Sequence, residues 1–252
     1  MQNVIGLFDS GSGGLSVLKA LRTALPEIDF VYFADLLRCP YGQRSQEEIR
    51  SISFENLSFL KSMCSTVVIA CHTSSSVLGP SFLWQDLCVI TMLEATLALL
   101  KEHAHTPLAF MATPTTITQL FHSENWNLKQ HHPNLQPLSC PNLAKEIEDS
   151  IHLENTAPCY AQALLSKGVQ GVVYGCTHYP FSEPFLSKNL PSSFRYLDPA
   201  DYIAQQVKTL QPPIPWGTGK VTFYLNQASE TFVQNVRQFL KIQEPQIIYK
   251  NN

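Results

Sequence analysis

Charge is scarce in this chain, and what there is nearly cancels. Charged residues fill 15% of 252 positions, with 17 Lys and Arg against 20 Asp and Glu, for a formal net charge of −3. That balance offers no electrostatic footprint for a nucleic acid, so no nucleic-acid partner is expected. No apolar run approaches the ~20 residues needed to cross a bilayer, so no membrane span is expected. The opening Met1-Gln2-Asn3-Val4-Ile5-Gly6 lacks the basic stretch and apolar core of a secretory leader, which makes the cytoplasm the expected compartment. Long linkers and low-complexity segments are also missing. The seven cysteines (Cys39, Cys64, Cys71, Cys88, Cys140, Cys159 and Cys176) are odd in number and scattered, with no C-x-x-C among them. A disulfide framework is therefore not expected, and most of these thiols should be small buried hydrophobes.

What remains is an ordinary globular composition, 44% hydrophobic, long enough for one large domain or two smaller ones. Short β-branched runs alternate with longer amphipathic stretches. Strands are predicted at Val4–Phe8, Phe30–Phe33, Thr66–Ala70, Leu108–Ala112, Val169–Tyr174 and, last, Val221–Tyr224. Helices are predicted at Leu15–Leu25, after an N-cap at Ser45 with Glu47 and Glu48 in the first turn, from about Thr73, and at Ser229–Leu240. The strands are continuously apolar, as strands buried on both faces are, and the alternation argues for parallel α/β architecture. The polar, proline-containing region from Asn125 to Pro141 reads as a surface excursion.

One internal echo stands out. Val67-Val68-Ile69-Ala70-Cys71-His72-Thr73 resembles Val172-Val173-Tyr174-Gly175-Cys176-Thr177-His178. Each is a buried strand, a small residue, then Cys with Thr and His just after. The two lie about one small α/β domain apart, which suggests two similar lobes. Ligands of α/β sheets bind beyond the carboxyl ends of the strands, where both cysteines fall. A cysteine there feels the positive end of the following helix, which would lower its thiol pKa from ~8.5 toward neutrality. Two such thiols facing a cleft from opposite sides suit inversion at a carbon stereocentre. One takes the α-proton of an amino acid from one face and the other returns a proton to the opposite face. The developing carbanion then needs hydrogen-bond donors nearby.

Other residues read two ways. The loop Asp9-Ser10-Gly11-Ser12-Gly13-Gly14 lacks both the Lys-Ser/Thr ending of a P-loop and the G-x-G-x-x-G spacing. Asp9 is either a helix cap or a carboxylate aimed into the cleft for a substrate ammonium. Pro40-Tyr41-Gly42 is a turn, or a source of backbone donors with a tyrosine lid. Thr113 and Thr116 are helix caps or hydroxyl donors to a carboxylate. His72 and His178 are packing residues, or groups that orient a thiol.

At these residues the sequence resembles the glutamate racemase family, within the cofactor-independent aspartate/glutamate racemase superfamily. The resemblance covers most of the chain in order. It is carried by Ile5-Gly6-Leu7-Phe8-Asp9-Ser10-Gly11-Ser12-Gly13-Gly14-Leu15, Arg38-Cys39-Pro40-Tyr41-Gly42, Ala70-Cys71-His72-Thr73 and Gly175-Cys176-Thr177-His178-Tyr179-Pro180. Weaker features are Glu94, Ala112-Thr113 with Thr116, Cys140-Pro141 followed by Glu148, and Leu197-Asp198. The resemblance implies two pseudo-symmetric lobes, each a parallel-sheet α/β sandwich, with the active site in the cleft between them. The lobes would be residues 1–94 with 202–252 returning, and residues 95–201. It implies Cys71 and Cys176 as the two acid/bases. Asp9, Ser10, Tyr41, Gly42, His72, Thr73, Thr177 and His178 would contact or surround the substrate, with Glu148, Thr113 and Thr116 assisting. It further implies glutamate as substrate, D-glutamate for peptidoglycan as product, no pyridoxal phosphate or metal, and commonly a homodimer.

The chain departs from the family where asparagine directly follows the first catalytic cysteine: here it is His72. Thr73-Ser74-Ser75-Ser76 is serine-rich where the family favours alanine, and Ala95-Thr96 replaces Pro-Gly after Glu94. A protonated His72 would upset the balance between the thiols. These departures leave open a weakly active or inactive member, or a racemase of a related amino acid such as aspartate. A Cys2His2 metal site from Cys71, His72, Cys176 and His178 would need all four heads to converge, which adjacent residues rarely do.

Overall fold

A computed structural model describes residues 4–123, 126–149, 153–210 and 217–250. Eleven described strands run β1 (Val4–Asp9), β2 (Asp29–Ala34), β3 (Thr66–Ile69), β4 (Phe82–Trp84), β5 (Leu87–Thr91), β6 (Leu108–Ala112), β7 (Gln136–Ser139), β8 (Gly171–Gly175), β9 (Arg195–Leu197), β10 (Val221–Leu225) and β11 (Gln246–Tyr249). The helices are α1 (Leu15–Ala24), α2 (Gln46–Lys61), α3 (His72–Leu78), α4 (Met92–Glu102), α5 (Pro114–Phe121), α6 (Leu128–His131), α7 (Leu143–Glu148), α8 (Leu153–Ser166), α9 (Glu183–Leu186), α10 (Ala200–Lys208) and α11 (Glu230–Leu240).

The strands form two sheets, ordered β11-β10-β2-β1-β3-β5-β4 and β7-β6-β8-β9. The continuous apolar runs do become the buried central strands. Every residue of β3, β6 and β8 is buried, because helices cover both faces. In the first sheet Ile5, Leu7 and Tyr32 pack toward α1, α10 and α11, while Phe8, Phe33 and Ile69 pack toward α2. Ser45 starts α2 with a full capping box: its hydroxyl accepts from the Glu48 amide, and the Glu48 carboxylate accepts from the Ser45 amide.

The sheet order explains where a site can form. Within the first sheet the order β2-β1-β3-β5 matches β7-β6-β8-β9 of the second, strand for strand in chain order. The chain reverses its direction of winding between β1 and β3, and again between β6 and β8, and each reversal leaves a crevice at the carboxyl ends. Cys71 lies just beyond β3 and Cys176 just beyond β8, at equivalent places. The pseudo-symmetry anticipated from the cysteine echo is thus a shared strand order.

Two expectations need correction, and the parallel pairing has one exception. The sheets are not wholly parallel, because β4 pairs antiparallel with β5. Gln85 and Asp86 join them with φ of 48° and 67°, the backbone of a two-residue hairpin. The expected surface excursion, beyond residues 124 and 125 which lie outside the described ones, holds α6 and β7, and β7 pairs parallel with β6. Leu128, His132 and Leu135 are buried there. Val221–Leu225 is not the last strand, since β11 follows and pairs with β10 on the edge of the first sheet. The positions where the lobes are expected to exchange, 94/95 and 201/202, fall in α4 and α10. Among the described residues no helix is long and apolar enough to cross a membrane.

Candidate active site

Cys71 ends the run out of β3 and stands at the N-cap of α3, only 4% exposed; Cys176 is 6% exposed. Ser74, in the first turn of α3, favours the Cys71 thiolate, but its buried hydroxyl makes no hydrogen bond among the described residues. The expected fall in thiol pKa does not occur at Cys71. Burial pushes it up to about 12, and the nearby charges of Asp9 and Cys176 add to the rise, beyond what Ser74 offsets. The favourable dipole of the helix N-terminus is smaller than the cost of removing a thiolate from water. That Cys176 registers at Cys71 places the two thiols within electrostatic reach of each other.

Beside Cys176 stands a charged pair. His178 Nε2 lies 2.7 Å from Glu148 Oε2, and His178 Nδ1 lies 3.8 Å from Cys176 Sγ. Glu148, at the end of α7, also accepts from Ser12: the amide at 3.0 Å and the hydroxyl at 2.8 Å, both to Oε2. Burial opposes charge on both partners and is outweighed on both. Glu148, with the Cys176 and Cys39 sulfurs, accepts from the ring and holds His178 well above the usual imidazole range. The bond and charge of His178, with the Ser12 donors, hold Glu148 below the usual carboxylate range. His178 is therefore an imidazolium with its second ring N–H directed at the Cys176 sulfur.

Asp9 closes the site from β1. It does not cap α1, whose N-cap is Gly14 with no side-chain bond. One carboxylate oxygen accepts from the Gly11 amide at 2.9 Å, and the other from the Thr177 hydroxyl at 2.9 Å, across to the second sheet's side. Burial raises its pKa, against the lowering charge of His178. Gly13 makes this approach possible. A Cβ there would sit 2.5 Å from His178 Nδ1 and 2.6 Å from Thr177 Oγ1. Ser10 is buried in the same loop.

Cys71 packs in a cluster with Tyr41, Ile49, Ile52 and Val77, and two residues on, at Thr73, a group of hydroxyls begins. Thr73, Thr113 and Thr116 form a closed triangle of Oγ1 contacts at 3.0, 2.9 and 3.3 Å, joining α3 to the start of α5. Thr113 is also the N-cap of α5, the first of its two sequence readings. Gly42 packs against Thr113, where a Cβ would meet the threonine Cβ at 2.6 Å. Tyr41 is not a lid. It is 1% exposed, packed with Cys71, Ile49 and Val77, and its hydroxyl donates to Asp35 while accepting from Asn56 at 3.0 Å.

His72 turns away from this group, toward α4. Its Nε2 lies 3.5 Å from Thr96 Oγ1, whose proton goes to the Met92 carbonyl at 2.8 Å, so Nε2 carries the ring proton. Nδ1 has no hydrogen-bond partner among the described residues. Burial pushes the ring down to about 3, so His72 is neutral and does not act on Cys71 as a charge. Two departures from the family pattern, His72 and Thr96, thus meet in one contact.

Among the described residues the metal-capable side chains that converge are Cys39, Glu148 and His178, one ligand atom each within 4.8 Å. The set of Cys71, His72, Cys176 and His178 does not come together, because His72 faces Thr96. Sequence reasoning gave no role to Cys39, whose sulfur lies within 4.8 Å of ligand atoms of His178 and Glu148, nor to Asp35 and Arg38. Asp35 is fully buried, takes Arg38 Nε at 2.7 Å and Asn226 Nδ2 at 2.6 Å, and so fixes the loop that carries Cys39 and Tyr41. The position of Cys39 and Arg38 inside a family motif was the available signal.

No protein-family model matches the chain. A glutamate racemase of Thermoanaerobacter sp. (strain X514) is 30% identical over 250 residues, covering 94% of this chain and 92% of the relative. One from Synechococcus sp. (strain CC9605) is 33% identical, covering 84% of this chain and 82% of the relative. The solved glutamate racemase of Francisella tularensis, in complex with D-glutamate, superposes with a TM-score of 0.78 at 26% identity, over 98% of this chain and 97% of that one. By relatives of this identity and coverage, the chain belongs to the glutamate racemase family.

Proposed function

We propose that the protein is an isomerase, a cofactor-independent glutamate racemase that interconverts L- and D-glutamate and supplies D-glutamate to peptidoglycan synthesis. The observation that carries this reading is the placement of Cys71 and Cys176 beyond equivalent strands of two sheets with the same strand order. The substrate's α-carbon lies between the sulfurs, in a cleft between residues 1–94 with 202–252 and residues 95–201. A thiolate at Cys176 removes the α-proton of one enantiomer while the Cys71 thiol protonates the other face. For the opposite enantiomer the roles exchange. Each turnover moves one proton onto one sulfur and one off the other, so no net charge accumulates.

The site's other groups have roles that fit this chemistry. His178, held charged by Glu148, stabilises the Cys176 thiolate. Asp9 receives the substrate ammonium, and that cation lowers the Cys71 thiol from its raised resting value. Ser10, Thr73, Thr113, Thr116 and Thr177 supply hydroxyls to the carboxylates, with Tyr41 and Gly42 holding the wall behind them. By family resemblance the assembly is a cytoplasmic homodimer, which sedimentation equilibrium tests.

Circular dichroism on L- and D-glutamate, with no added cofactor, tests the function directly. Optical activity should decay to zero from either side, because mirror-image substrates have an equilibrium constant of one. For the same reason kcat/KM must be equal in the two directions. Cys71→Ser and Cys176→Ser should each lower it by roughly 10²–10⁴-fold, the usual contribution of a general acid or base. Near-normal racemisation in either variant sinks the two-thiol reading, and turnover of aspartate in place of glutamate corrects the substrate.

A further inference from the structure

A chain of hydrogen bonds leads into the Cys176 side of the site from a helix far along the sequence. Asn235, on α11, donates from Nδ2 to Ser12 Oγ at 3.1 Å. Ser12 is fully buried, between Gly11 and Gly13. With an N–H already pointing at its oxygen, the Ser12 hydroxyl has its own proton free for one direction, and that proton goes to Glu148 Oε2 at 2.8 Å. The Ser12 amide adds bonds of 3.0 and 3.3 Å to the two carboxylate oxygens. Glu148 Oε2 then meets His178 Nε2 at 2.7 Å, and His178 Nδ1 faces Cys176 Sγ at 3.8 Å. Each member leaves the next only one way to orient.

We propose that Ser12 and Asn235 are positioning residues that fix the Glu148 carboxylate against His178, and through it set the charge presented to the Cys176 sulfur. Neither residue touches the reacting atoms in this scheme; α11, packed on the first sheet, governs a thiol that follows β8 in the second. The inference rests on the racemase reading only for its kinetic half, since the orientation and charge of His178 are measurable without turnover.

The test is Ser12→Ala, which removes the hydroxyl but keeps the amide bonds, with Ser12→Thr as the conservative control and Asn235→Ala as the second link. Imidazole ¹⁵N spectra, with the His178 signal among the eight histidines assigned by its loss in His178→Asn, give the first readout. Ser12→Ala should bring the His178 titration to lower pH, and Ser12→Thr should restore it. In the kinetics kcat should fall about tenfold, the loss expected for one hydrogen bond to a charged group, with KM changed less than twofold. The alkaline limb of the kcat profile should move down in pH. Asn235→Ala should act in the same direction, and the double variant should be no worse than Ser12→Ala alone. An unshifted His178 titration overturns the proposal, as does a loss of activity that Ser12→Thr does not restore or that adds fully with Asn235→Ala. If the wild type racemises neither enantiomer of glutamate, the functional reading fails, and the titration still decides the role of Ser12.

Discussion

Glu148→Gln separates the charge of the His178–Glu148 pair from its shape. Gln has the size of Glu and can put its oxygen where Oε2 stands, keeping an acceptor for the Ser12 hydroxyl at 2.8 Å and for His178 at 2.7 Å. Its amide nitrogen then takes the place of Oε1, facing the Ser12 N–H at 3.3 Å, donor against donor. A hydrogen bond to a charged partner contributes about 1.5–3 kcal/mol, and a neutral one about 1, so the substitution weakens the hold on the imidazolium by about 1–2 kcal/mol, roughly 5- to 30-fold. In kinetics that loss should appear in kcat, with the alkaline limb shifted to lower pH.

The stability signature has a definite sign. His178 is raised above its ordinary 6.5, so its contribution is complete below pH 6.5 and is lost as pH climbs through the raised value. Glu148 is lowered from 4.5, so its contribution is complete above pH 4.5 and is lost as pH falls through the lowered value. The pair is therefore worth most between pH 4.5 and 6.5. The gap in Tm between wild type and Glu148→Gln should be widest there, at about 2–4 °C per kcal/mol for a chain of this size, and should narrow on both sides. Thermal melts across pH 3.5 to 9 check the bell shape, and circular dichroism of glutamate checks the rate. A Tm gap that is flat with pH, or a variant within twofold of wild-type kcat, refutes the charged-pair argument.

Gly13→Ala should damage activity far more than stability. The new Cβ would stand 2.5 Å from His178 Nδ1 and must displace the ring, and a shift of about 1 Å in a catalytic group costs roughly a hundredfold. The expected result is a large fall in kcat/KM with Tm changed by only a few degrees; an active Gly13→Ala would mean that the ring's position is not critical. His72→Asn should leave the kcat profile between pH 6 and 8 unchanged, because the ring is neutral there. Its stability effect depends on pH. A folded value of about 3 against 6.5 unfolded makes the wild type lose stability, relative to the Asn variant, by about 1.4 kcal/mol per pH unit as pH falls below 6.5. Paired melts at pH 7, 5.5 and 4.5 measure that slope, and parallel curves would show that His72 is not buried neutral.

The parts of the fold legible in the sequence were those where burial dominates. Thr66–Ile69, Leu108–Ala112 and Gly171–Gly175 are covered on both faces, and an uninterrupted apolar run has no other stable place to go. The edges were not legible. Gln136-Pro137-Leu138-Ser139 and Gln246-Ile247-Ile248-Tyr249 are short and partly exposed, so their pairing is set by the neighbouring strand more than by their own pattern. The same division runs through the site. Cys71, Cys176, Asp9 and Thr177 sit at strand ends, where chain order fixes position. The Ser12–Glu148 bond spans 136 residues and the Asn235–Ser12 bond 223, and no local pattern encodes either. Cys71 shows the energetic form of the limit. A helix N-terminus is readable in sequence, but the burial that outweighs it is a property of the whole lobe.

The two halves of the site share a strand order but not a lining, and that asymmetry has a thermodynamic bound. Cys71 packs with Tyr41, Ile49 and Val77, and the carboxylate charge that reaches it, from Asp9, is negative. Cys176 faces an imidazolium backed by a carboxylate. Unequal thiols cannot favour one enantiomer at equilibrium, since an equilibrium constant of one forces kcat/KM to be the same in both directions at every pH. The inequality must appear in kcat and KM separately, changing together from one direction to the other. An imidazolium facing Cys176, with none facing Cys71, makes the enzyme ready for the enantiomer whose α-hydrogen faces Cys176. For that enantiomer no preparatory proton shift between the sulfurs is needed. With α-deuterated substrates, the primary isotope effect on kcat should therefore be larger in that direction and masked in the other. Replacing Glu148 should bring the two values closer together, because it removes the group that makes the thiols unequal.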